Sequence, residues 1–189
     1  MNAERPQSDA TIRRRRTQRP VHAPNGWEGA PTYLLEAKLA PPRPPTGFVV
    51  RPRVSAMFEA AAARPLTVVS AGPGWGKTLA AAAWAASGPA VGKLAWVSLD
   101  EGDSEPRLFW SYVLTALRRS GVVPPENDLA ELVPGPAVDE EIIRRILYGI
   151  SQLPEPVVLV LDDFHNIHDA DVLSGVAMLL VGHVTKDGA

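Results

Sequence analysis

Within eight positions, Ala71-Gly-Pro-Gly-Trp-Gly-Lys-Thr78 gathers three glycines, a lysine and a threonine. Those are the parts needed to hold a polyphosphate. The glycines let the backbone curl so that successive N–H groups face one anion. Lys77 supplies a point charge, and Thr78 a hydroxyl for a magnesium ion. The strict form of this pattern opens with glycine, and here the small residue Ala71 takes that place. Pro73 and Trp75 fill the free positions of the loop, and Trp75 either flanks a nucleotide or packs outward on a neighbouring loop. The bland alternative is a glycine-rich turn that holds no ligand.

A second group with chemical potential lies 84 positions beyond Thr78, where the apolar run Val157-Val-Leu-Val-Leu161 ends in Asp162-Asp163. Carboxylates at the carboxyl end of a parallel strand lie in the crevice where open α/β sheets bind ligands. Asp162 is placed to hold magnesium through water, and Asp163 to polarise an attacking water near a γ-phosphate. Either acid alone could instead cap the turn after the strand. His165 and His168 stand close by, yet two histidines with no further ligand set read as loop chemistry rather than as a zinc site.

The elements that must position these groups are legible around them. Val68 and Val69 precede the glycine loop as a buried strand would, and Leu79 to Ala86 follows as a strong helix former whose N-terminus would face the phosphates. A helix is expected over Val54 to Ala63, with Met57, Phe58 and Ala61 on one face, ended by Arg64-Pro65. Lys93 to Leu99 reads as a second strand closed by the acidic turn Asp100 to Asp103. Ser104, with Pro106 behind it, opens a helix with Leu108, Phe109, Tyr112, Val113, Ala116 and Leu117 on its core face. Residues 121 to 136 are mostly loop. Asp139-Glu-Glu141 then starts a helix whose Ile142, Ile143, Ile146, Leu147 and Ile150 repeat at helical spacing. Trp84, Trp96 and Trp110 fall on these elements as core or interface residues.

The chain has 189 residues, 46% of them hydrophobic, a formal charge of −2 and no cysteine. It can bury one modest core, has no thiolate metal site, and carries no overall charge that points to a polyanion. No apolar run is long enough for a membrane span, and no secretory signal is visible, so a cytoplasmic address is expected. Residues 1–32 read as a flexible basic arm. Its Arg13-Arg-Arg-Arg16 is a solvated tail or, alternatively, a nucleic-acid contact without interleaved aromatics. Residues 33–53, with Leu39-Ala-Pro-Pro-Arg-Pro-Pro45, form an extended proline-rich entry into a domain over residues 54–181, and residues 182–189 an atypical tail.

Five ordered blocks carry a family resemblance: Lys38 to Pro45, Val50-Arg-Pro-Arg-Val54, Ala71 to Thr78, Ala95-Trp-Val-Ser-Leu-Asp-Glu-Gly-Asp103 and Val160-Leu-Asp-Asp-Phe-His165. Together they resemble the N-terminal ATPase module of the large ATP-binding LuxR-type transcriptional regulators, a group of multidomain signal-transduction ATPases. The resemblance implies an α/β, three-layer P-loop NTPase fold and a switch driven by ATP and Mg2+. In that family ATP favours a self-associating form and slow hydrolysis resets it. It places Gly72, Pro73, Gly74, Trp75 and Gly76 around the phosphates and Lys77 on the β- and γ-groups. Thr78 and Asp162 fall on the metal, Asp163 becomes the hydrolytic acid, and Arg51 lies on the adenine side. At most a weak ATPase is implied.

Two departures qualify it. Leu79 stands where the family often has a second threonine. The similarity also ends near Leu180, where the family continues into a sensor strand, a helical lid, repeats and a helix-turn-helix. The expectation is therefore a fragment without sequence-specific DNA binding, whose sheet lacks the strand between the phosphate-loop strand and the Asp162 strand. Such a gap leaves backbone groups unpaired or forces those two strands together. Poor ATP binding and negligible hydrolysis follow from either outcome. The competing reading is a free-standing small P-loop ATPase or nucleotide kinase, which would need an arginine-bearing lid after Asp163.

Overall fold

The computed structural model describes residues 34–184 apart from 91 and 136. The arm with Arg13 to Arg16 and residues 185–189 lie outside the described residues. The element order is α1 (Pro52–Ala62), α2 (Lys77–Ser87), β1 (Lys93–Ser98), α3 (Pro106–Arg119), α4 (Glu140–Ser151), β2 (Val157–Asp162) and α5 (Ala170–Val184), with short 3-10 turns between them. The two strands pair in parallel, from Lys93 opposite Val157 to Ser98 opposite Asp162. The chain enters β1 through Gly92 at φ 71°, where a Cβ would stand 2.0 Å from the carbonyl oxygen of Pro156, so no other residue fits that approach.

Alternation along the strands divides the core into two layers. Trp96 and Val160 pack with Ala81, Ala82, Ala85 and Phe58, which places α1 and α2 on one face of the sheet. Ala95, Val97 and Leu99 face the other way, into the larger cluster built on Phe109, Trp110, Tyr112, Val113 and Leu114 of α3, with Ile143 and Ile146 of α4 and Val172 of α5. Three layers result, helix pair, sheet and helix layer, from residues that switch sides with a period of two. The core faces of α3 and α4 are those expected from periodicity, and Trp84, Trp96 and Trp110 are all buried.

Helix starts are set by side chains. Asp139 accepts the amide of Ile142 at the head of α4. At α3 the cap is Glu105, which accepts the amides of Arg107 and Leu108, whereas the sequence points to Ser104. The hydroxyl of Ser104 instead donates to the carbonyl of Asn166, tying the two loops at the strand ends together.

One expectation is overturned. Leu66 to Ser70 forms no strand, and Val68 is 78% exposed. β2 is hydrogen-bonded to β1 alone, so no neighbouring strand covers these valines. The strand expected before the glycine loop does not form, and the described sheet consists of β1 and β2. α1 likewise buries no residue completely, and Met57, expected on its core face, is 65% exposed.

Candidate functional site

The glycine loop leads straight into α2, whose first residue is Lys77. Gly76 caps that helix at φ 76°, a left-handed conformation, with open space where a Cβ would lie. This turn leaves the first amides of α2 without intrahelical partners, at the positive end of the helix dipole. Lys77 folds back over the loop, its Nζ donating to the carbonyls of Ala71 at 2.8 Å and Gly72 at 3.2 Å. The ammonium group thus sits at the mouth of the loop on two weakly basic oxygens, a partnership that an anion would outcompete. Trp75 projects from the loop, 74% exposed, with the edge of its indole over Gly72.

Sequence-distant residues meet at the foot of α2. The Thr78 hydroxyl donates to Oδ1 of Asp162 at 3.0 Å, although 84 residues separate them. Burial raises the pKa of the Asp162 carboxyl, as does the charge of neighbouring Asp163; the Thr78 hydroxyl, the Asp163 amide and the charge of Lys77 oppose the rise. A half-buried carboxylate bound to a hydroxyl and crowded by a second carboxylate is an arrangement a cation would stabilise. Adjacent oxygens of a magnesium octahedron, with bonds of about 2.1 Å, lie about 3 Å apart. The Thr78 and Asp162 oxygens have that spacing, so once the hydroxyl proton turns away the pair could hold a small divalent ion, Thr78 directly and Asp162 directly or through water.

Asp163 follows at φ 56°, the only non-glycine residue with positive φ among those described. That turn takes its side chain out of line with the strand, and the carboxylate is 46% exposed, 3.8 Å from His165 Nδ1. His168 contributes its backbone amide to the Ser104 hydroxyl. Among the described residues no group of three or more His, Cys, Asp or Glu is arranged to hold a metal ion. A magnesium ion does not need one, because it is commonly held by one or two carboxylates together with substrate phosphates. The acidic turn after β1 is committed elsewhere, since Lys38 binds Asp103 at 2.5 Å and Asp100 at 2.7 Å.

Arg51, exposed, caps α1 on the other side of the loop. Phe48, Val50, Arg51, Val54 and Ser55 form one wall of a crevice, and Gly76, Ala80 and Ala83 the other. The Phe48-Val-Val50 run was the available signal for this crevice, hidden because it lies in a segment without periodicity. The structure therefore brings Gly76, Lys77, Thr78 and Asp162 into one locus, with Arg51 flanking it and Asp163 at its rim.

A three-layer α/β arrangement with a glycine loop opening a helix against a strand-end aspartate defines an α/β chain with a candidate anion-and-metal site. No protein-family model matches the chain. Over 142 residues, 71% of this chain, it is 30% identical to the HTH-type transcriptional regulator MalT of Cronobacter sakazakii. It is also 30% identical over 158 residues, 79% of the chain, to MalT of Serratia proteamaculans. To MalT of Vibrio cholerae it is 28% identical over 148 residues. The chain is thus a homologue of these LuxR-type transcriptional regulators, and the match spans only 15–16% of their length.

Proposed function

We propose that this chain is an ATP-binding, slowly hydrolysing switch module of a LuxR-type transcriptional regulator. The observation that carries the reading is the hydrogen bond between Thr78 and Asp162, which joins the end of the glycine loop to the end of β2. Homology to transcriptional regulators supports the switch role over a metabolic one.

In this reading the amides of Gly72 to Gly76 wrap the phosphates, with Pro73 and Trp75 shaping the loop between them. Lys77 leaves the carbonyls of Ala71 and Gly72 for the β- and γ-oxygens. Thr78 and Asp162 hold Mg2+, which supplies charge neutralisation at the phosphates. Asp163, exposed at the rim, orients the water for slow hydrolysis. Arg51 and the crevice beside Gly76 take the nucleoside side. The fold proposed is the three-layer P-loop type, with residues 66–70 leading into the phosphate loop without forming a strand. Because that segment lacks a strand partner, affinity is weak. Self-association on ATP binding is proposed for a whole regulator, not for this piece. The kinase alternative lacks support, since α5, which follows Asp163, has no arginine.

Titrating the chain with ATP in magnesium and again with a chelator tests the reading. Binding should require magnesium, and Thr78→Val should bind equally weakly in both conditions. Magnesium-independent binding of the same strength would remove the role of Thr78 and Asp162.

A further inference from the structure

The crevice beside Gly76 is narrow, with free volume of about 10 Å3, roughly the room of one water molecule. A purine can enter only if the N-terminal ends of α1 and α2 part. The two helices run side by side, with Arg51, Val54 and Ser55 facing Gly76 and Ala80 at one end and Phe58 facing Trp84 at the other. At that far end they are clamped. The Glu59 carboxylate accepts the Trp84 indole N–H at 2.8 Å through Oε2 and the Ala90 amide at 2.7 Å through Oε1. Phe58 stacks on the same indole, with ring centroids 5.7 Å apart.

We infer that Glu59 is a positioning residue for nucleoside recognition, the pivot that holds α1 to α2 while their N-terminal ends open around the base. This inference rests on the nucleotide reading above. One carboxylate bridges α1, α2 and the turn before β1, so losing it leaves that end of α1 held by the stacking of Phe58 on Trp84. The phosphate loop is untouched, because Gly72 to Thr78 make no contact with Glu59 among the hydrogen bonds described. The clamp therefore governs how the base is gripped and leaves phosphate binding alone.

The separation can be read directly by titrating the chain with magnesium-ATP and with magnesium-tripolyphosphate, which has the phosphates but no nucleoside. Glu59→Ala, Glu59→Gln and Trp84→Phe should each weaken ATP several-fold while tripolyphosphate binds as to the wild type. Trp84→Phe removes the donor together with part of a buried side chain, so Glu59→Gln, which keeps the volume and loses one acceptor, carries the test if Glu59→Ala does not fold. Parallel loss of both ligands, or no change in either, would overturn the pivot. A wild-type chain that binds tripolyphosphate no more weakly than ATP would overturn nucleoside recognition and the pivot with it. One that binds neither ligand would overturn the phosphate site itself.

Discussion

Asp162 concentrates the tension of the site. Its carboxyl is half-buried beside Asp163, and its pKa is raised above the ordinary carboxylate value. Ionising it in the folded chain therefore costs more than in the unfolded chain. The stability it contributes is fully present below the ordinary carboxylate range and is lost as pH climbs through the raised value. Asp162→Asn stays neutral and can still accept from Thr78. At neutral pH it should melt at a higher temperature than the wild type, and the advantage should vanish in acid. Thermal unfolding followed against pH checks this, and parallel curves for the two proteins would contradict it. Residue types and spacing were enough to single out Lys77, Thr78 and Asp162. They could not show that Lys77 rests on loop carbonyls, because that depends on where a flexible side chain finds acceptors.

At the scale of elements, periodicity carried most of the information. α3 and α4 bury the faces that their Phe109, Tyr112, Val113, Ile143 and Ile146 spacing marks out. Helix α5 was not legible, because Val172, Val176, Met178 and Leu179 lie in a run with few polar residues to define a face. Val68 and Val69 gave the opposite error. An apolar pair before a glycine loop has the composition of a buried strand, but burial needs a neighbour, and β2 offers its bonds to β1. Glu59 was invisible for a related reason, since its two donors arrive from Trp84 and Ala90 through tertiary packing. The exposure of Val68 has a direct consequence. Val68→Thr should change unfolding stability by less than about 0.5 kcal/mol in urea titration, as exposed substitutions do. A loss of several times that size would mean that the segment is packed in solution.

Across the whole molecule, a large helical core and a thin functional side share one two-stranded sheet. The cluster around Trp110 and Tyr112 anchors β1, and β1 anchors β2, so Asp162 is held from behind by the best-packed part of the chain. The glycine loop is held from the front by α2, which packs on Trp96 and Val160, and by the Thr78 hydrogen bond. Homology to LuxR-type regulators covers 15–16% of their length. The three-layer arrangement was expected from the family resemblance, whereas the loose footing of residues 66–70 emerges only once the strand partners are known. The central claim is that Ala71 to Thr78 holds the phosphates of ATP. Direct calorimetric titration of the wild type and Lys77→Ala with magnesium-ATP tests it. Weak, saturable binding by the wild type that disappears in Lys77→Ala is the expected result; equal binding by the two proteins would contradict it.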